Sequence, residues 1–174
     1  MAIQRGTLLD LPSAPISFQI HRISPSPPVS DLIAEIDYAL DHLRAVGFAL
    51  MSNAKGVYLG DKSLDPVFSK LNERKAIIFM HPTSCNTLIP HGPTTEMYVV
   101  NPVPQFPRPM MEFVFDETRA VVNLLLSGTV ERYQNITFIM SHCGCVFPLI
   151  VDRVSAFASI VAGSRMWVRS LESC

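Results

Sequence analysis

The sequence has no excess of charge of either sign, no apolar run of membrane-spanning length and few cysteines. Fourteen Lys and Arg stand against fifteen Asp and Glu in 174 residues, a formal net charge of −1. That balance gives no electrostatic pull toward nucleic acid or an anionic membrane surface. The longest apolar stretches, around 47–51 and 76–80, fall far short of the ~20 residues that cross a bilayer, so no membrane partner is expected. The opening MAIQRGTLLDLP lacks the apolar core of a signal peptide, and a cytosolic, reducing compartment is the expectation. Cys85, Cys143, Cys145 and Cys174 are accordingly read as thiols, because a chain of this size with 48% hydrophobic residues does not depend on disulfides. With 17% charged residues and a mean hydropathy of +0.27, the chain is too apolar to be disordered and long enough to bury one core.

Proline, by contrast, is abundant. Fourteen prolines, about 8% against a usual ~5%, gather mainly in two clusters that punctuate the chain. Residues 11–30 read as a loop with a short edge strand at Ile16–Ile20, where apolar and polar residues alternate. A helix follows: Ser30 suits its cap, Asp31 its first turn, and Leu32, Ile33, Ile36, Ala39, Leu40 and Leu43 recur at helical spacing. Phe48–Met51 is then a short apolar run without alternation, the pattern of a buried parallel strand. After a loop, Pro66, Val67, Phe68 and Leu71 mark a second helix, and Ala76–Met80 a second buried strand ending in His81-Pro82. The second proline cluster, 90–109, predicts a long irregular connection. Helical spacing resumes near Glu112, passes through Arg119, Val122, Leu125 and Leu126, and stops at Ser127-Gly128. A third buried strand, Ile136–Met140, ends in Ser141-His142, and Phe147-Pro148 opens a last helix. Helices alternating with short apolar strands predict an α/β fold with a parallel sheet, whose strands at 47–52, 75–80 and 136–141 are neighbours. Three regions follow: a proline-rich segment at 1–29, a folded domain at 30–160 and a tail at 161–174.

Ligands of parallel α/β folds bind at the carboxyl ends of the strands, where His81 and His142 both fall. A neutral imidazole serves as metal ligand or proton carrier, although a histidine at a strand end is often only a hydrogen-bonded core residue. The repeated placement favours a shared site. Cys143 and Cys145 beside His142, with Cys85 after His81, match zinc in ligand type but not in spacing, since structural sites use C-x₂₋₄-C pairs. Small buried thiols are the simpler reading. Arg119 and Arg153 lie in apolar helical segments and need a partner or the surface. Asp116 reads as a carboxylate favoured by the helix dipole, and His91 in the long connection is left without a role.

Three ordered blocks, GVYLGDKSLDPVFSKLNERKAIIFMHPTS, MMEFVFDETRAVVNLLLSGTVERY and ITFIMSHCGCVFPLIVDRV, resemble the amidohydrolase-related, metal-dependent decarboxylases. Within them the chain is most similar to the fungal 6-methylsalicylate decarboxylase group, with aminocarboxymuconate-semialdehyde decarboxylase as a relative, over roughly 31–158. The resemblance implies a (β/α)₈ barrel with one divalent metal, usually zinc, at the carboxyl ends of the strands. It implies that His81, in its H-P context, is a metal ligand, and that His142 lies at the metal and its water as catalytic base or polarising group. It also implies that Arg153 reaches into the partner subunit's site of a homodimer to hold the substrate carboxylate.

The chain departs from that family too. No H-x-H or E-x-H metal motif occurs anywhere, no counterpart of the eighth-strand aspartate is visible, and Cys145 stands where a second glycine is expected after His142. A complete barrel takes ~250 residues, so this chain corresponds to about three to four β/α units of one: a partial TIM barrel. The function expected from the lineage is a carboxy-lyase acting on a small hydroxylated aromatic acid such as 6-methylsalicylate, in polyketide secondary metabolism. The alternatives are a metal-dependent hydrolase of the same superfamily, or an inactive fragment that acts only by pairing with another barrel.

Overall fold

The computed structural model describes residues 19–20, 29–91, 94–99 and 101–162. Most of the proline-rich 1–29 segment and of the 161–174 tail, Cys174 included, lies outside them. In chain order the elements are β1 (Gln19–Ile20), α1 (Val29–Asp41), β2 (Gly47–Met51), β3 (Asn53–Ala54), β4 (Val57–Tyr58), α2 (Asp65–Glu73), β5 (Ile77–His81), β6 (Asn86–His91), β7 (Thr94–Val99), α3 (Glu112–Leu126), α4 (Thr129–Arg132), β8 (Thr137–Met140) and α5 (Phe147–Ala162).

β1, β2, β5 and β8 form one parallel sheet in that order. The three predicted apolar strands are its neighbouring members, and Gln19–Ile20, the described end of the alternating patch before them, supplies its edge. Successive residues of a strand face opposite sides, and the two sides of this sheet differ. Phe48 and Leu50 of β2 and Ile78 and Met80 of β5 belong to the buried core, against which Phe138 and Met140 of β8 pack. Leu32, Ile36 and Ala39 of α1, Val67, Phe68 and Leu71 of α2, and Ala120, Val121 and Leu124 of α3 fill that core from the helical side. The other side is paired in register as Gly47, Ile77 and Thr137, then Ala49, Phe79 and Ile139, then Met51 and His81. Its covering is incomplete: Ile77, Phe79 and His81 are half-buried and Ile139 is exposed. In a closed barrel this would be the inner face, filled by layers from the remaining strands.

Local chemistry explains the boundaries. α2 starts with Pro66 in its first turn, where the missing N–H costs nothing. α3 ends at Ser127, and Gly128 follows in the left-handed conformation at φ 77°. Ser30 is not the cap expected of it: α1 begins at Val29, and the Ser30 hydroxyl donates to Asp31 instead. Three further expectations are corrected. The loop after Ser52 contains the small hairpin β3–β4, turned at Lys55 and Gly56, both with positive φ. Part of the proline-rich connection forms a second antiparallel hairpin, β6–β7, in which Pro90 sits opposite Thr95; a two-stranded ribbon has two free edges and tolerates a residue without an N–H. The buried stripe of α3 runs through Asp116, Glu117, Ala120, Val121 and Leu124, while Arg119 and Leu126 are exposed.

Candidate active site

α3 lays its first turns against the carboxyl ends of β2, β5 and β8 with two consecutive buried acids. Asp116 is fully buried and accepts hydrogen bonds from the Ser52 hydroxyl, from Asn53 Nδ2 at 2.9 Å and from the Tyr58 hydroxyl at 2.7 Å. The sequence reading of Asp116 as a carboxylate favoured by the helix dipole is thereby corrected: its charge is held by three side-chain donors. Ser52 Oγ in turn accepts the Thr83 N–H at 2.9 Å, and Asn53 Nδ2 donates to the Ser84 carbonyl at 3.2 Å. One carboxylate thus ties the end of β2, the hairpin after it and the segment after β5 into one knot. Burial and then the Asp116 carboxylate push the Tyr58 phenol far above its ordinary value, so Tyr58 stays a donor.

Glu117 is also 0% exposed. Its Oε2 accepts the Ser141 hydroxyl, and Oε1 has no hydrogen-bond partner among the described residues. Burial raises its carboxyl pKa, opposed by the Ser141 hydrogen bond and by the charges of His142 and His81. Both histidines singled out from the sequence therefore lie within electrostatic reach of this one acid. His81 ends β5, half-buried, with Nδ1 2.8 Å from the Pro82 carbonyl and its ring edge-on to Phe113. His142 directly follows Ser141 after β8 and is exposed.

The turn that carries His142 is unusual. His142, Cys143 and Gly144 have φ of 49°, 55° and 76°, and Cys145 has φ 58° with ψ −124°, a conformation proper to glycine. The position where a second glycine was expected is thus one whose backbone calls for it. Cys145 is half-buried, and burial, then the Glu117 charge, push its thiol up to about 11. Cys85 is buried and Cys143 exposed; these and Cys145 are free thiols. Arg153 is turned to solvent on α5, its guanidinium 4.9 Å from the centre of the Phe157 ring, and is not part of the Glu117 group. The side chain of His91, at the end of β6, lies outside the described residues.

His81 suits a metal ligand in one respect: an imidazole that donates Nδ1–H to a backbone carbonyl presents Nε2 in a fixed direction. A catalytic zinc takes about three protein ligands, however, and among the described residues no three His, Cys, Asp or Glu side chains converge as such a group. The described residues do not by themselves make a complete metal site.

The amidohydrolase family profile matches residues 7–172, and the chain belongs to that family. Relatives include the decarboxylase macB of Penicillium terrestre, 32% identical over 73% of this chain and 36% of its own length. The 6-methylsalicylic acid decarboxylase of Penicillium expansum is 31% identical over 75% of this chain and 37% of its own. The chain thus spans little more than a third of these relatives. Among solved structures, an amidohydrolase II matches with a TM-score of 0.68 and 24% identity over 91% of this chain and 53% of that one. A 5-carboxyvanillate decarboxylase of Novosphingobium aromaticivorans, crystallised with manganese, matches with a TM-score of 0.57 and 18% identity over 82% and 40%. The fold is part of the TIM barrel these amidohydrolases share.

Sequence reasoning missed Ser52, Asn53, Tyr58, Glu117 and Ser141. The signal for Glu117 was its place three and four residues before Ala120 and Val121 and seven before Leu124, on the buried stripe. For Ser52 and Ser141 it was a small polar residue placed directly after an apolar strand.

Proposed function

We propose that the complete protein is a carboxy-lyase that removes CO2 from a hydroxylated aromatic acid of the 6-methylsalicylate kind, in polyketide secondary metabolism in the cytosol. The single observation that carries this reading is that His81 and His142 stand at the carboxyl ends of two adjacent, paired parallel strands, in a chain whose relatives include decarboxylases. His142, exposed at the rim, delivers a proton to the ring carbon that bears the carboxylate. The bond from that carbon to the carboxyl carbon then breaks, its electron pair returns to the ring, and CO2 leaves. Arg153, exposed on α5, holds the substrate carboxylate of the partner subunit in a homodimer, where a guanidinium offers two parallel charge-assisted hydrogen bonds. A divalent metal, zinc by family expectation, would be held by His81, with His142 beside it and its water, and would polarise the acid's oxygens; a complete site would need ligands in addition to these.

The test is CO2 release from 6-methylsalicylate and other hydroxybenzoates, with lactones as hydrolase substrates. Release that falls by about a hundredfold or more in His142→Ala supports the reading, and lactone hydrolysis without CO2 overturns it. A second reading, a fragment that works only against another barrel, is favoured by the half-covered inner face and by the exposed Leu149, Phe157 and Ile160 of α5. Activity that appears only when the missing barrel strands are supplied would distinguish it.

A further inference from the structure

The turn between β8 and α5 holds four successive residues at positive φ, His142 to Cys145, and three of them bear side chains that disfavour it. Such a run persists only where its surroundings over-determine it. Two consecutive residues of α3 do so. Before the run, Glu117 Oε2 accepts the hydroxyl of Ser141, itself buried. After it, Thr118 Oγ1 accepts the Val146 N–H at 3.1 Å, while its own proton goes to the Val114 carbonyl at 2.8 Å. Within the run, Cys145 N–H closes onto the His142 carbonyl at 2.9 Å. Both attachment points are buried and come from one rigid helix, so the exposed His142 between them has one available backbone path.

We propose that Glu117 and Thr118 form a two-point clamp that positions His142 at the rim, Glu117 acting through Ser141 and Thr118 through the Val146 amide. The inference deepens the decarboxylase reading and rests on it only for what His142 does. The clamp can be tested in the full chain by amide exchange at Cys145 and Val146 and by the ring signals of ¹³C-labelled histidines. Ser141→Ala, Glu117→Ala and Thr118→Val should each speed exchange at these amides about tenfold or more and move the His142 signal. The His42 signal, just past the end of α1, and the amides of β2 and β5 should stay as they are. Glu117→Gln keeps an acceptor for Ser141 and should recover most of the protection. In a variant that turns over substrate, kcat should fall with KM nearly unchanged. Should Glu117→Ala fail to fold, Ser141→Ala removes the same bond with little loss of volume. Wild-type exchange and an unmoved His142 signal in folded Ser141→Ala and Thr118→Val would overturn the clamp, as would Glu117→Gln behaving like Glu117→Ala. Absence of CO2 release by the wild-type chain would count against the decarboxylase reading alone and leave these exchange results standing.

Discussion

At the scale of single residues, the site is a set of buried acids whose partners are prescribed by short contacts. Tyr58 is one of three donors to Asp116, and Tyr58→Phe is expected to cost about 1–3 kcal/mol by leaving a buried carboxylate oxygen short of a partner. Urea unfolding measures it, and an unchanged midpoint would mean that water takes the place of the phenol. Cys145 gives the opposite expectation. Its φ of 58° and ψ of −124° strain any residue with a Cβ, so Cys145→Gly should stabilise the chain by ~1 kcal/mol, seen as a higher denaturation midpoint. Glu117 yields a pH dependence. A carboxyl whose pKa is raised by folding stabilises the fold fully below its ordinary value of 4.5 and loses that contribution as pH rises through the raised value. The neutral Glu117→Gln lacks this loss, so its stability relative to wild type should grow with rising pH across that window. A constant difference between the two unfolding curves would show that Glu117 titrates alike in both states.

At the scale of elements, strand spacing is set by Gly47. A Cβ there would lie 2.4 Å from the Ile77 carbonyl oxygen in the neighbouring strand, and backbone in a parallel pair cannot retreat without breaking the ladder. Gly47→Ala should therefore destabilise by about 1–3 kcal/mol, with thermal unfolding as the check. The strands themselves were legible because a buried parallel strand is a short apolar run between helical patterns, and this chain has three such runs in plain view. The helices were legible in extent but not always in facing. α3 is apolar around much of its circumference, so spacing alone favoured Val122 and Leu125 over Val121 and Leu124. Both hairpins escaped notice because proline and glycine signals, read as irregularity, do not say whether the flanking segments pair. Of the site, His81 and His142 could be found because a strand end is a sequence-readable position. Ser52, Tyr58 and Ser141 could not, since their importance comes from α3 meeting them across 64, 58 and 24 residues of chain respectively.

At the scale of the whole molecule, among the described residues the sheet ends at β1 on one side and β8 on the other, and one of its faces is only partly covered. On α5, Leu149 is 85% and Ile160 76% exposed, large apolar groups that an isolated domain rarely shows together. This chain is expected to self-associate with rising concentration, and Leu149→Glu with Ile160→Lys to reduce that association; sedimentation velocity distinguishes the two. Zinc should bind this chain weakly and leave on dialysis, because too few first-contact ligands are brought together among the described residues. Tight stoichiometric retention, read by metal analysis, would show a ligand set beyond His81 and His142.

The sheet order β1-β2-β5-β8 repeats the order of synthesis. Each strand emerging from the ribosome finds its partner already made, beside it and on the same side as every earlier addition. Pairings between consecutive units keep loop closure short, so the growing sheet can be extended as it is translated. At every stage the newest strand forms the advancing edge, opposite the edge that β1 keeps, and each following β/α unit covers it in turn.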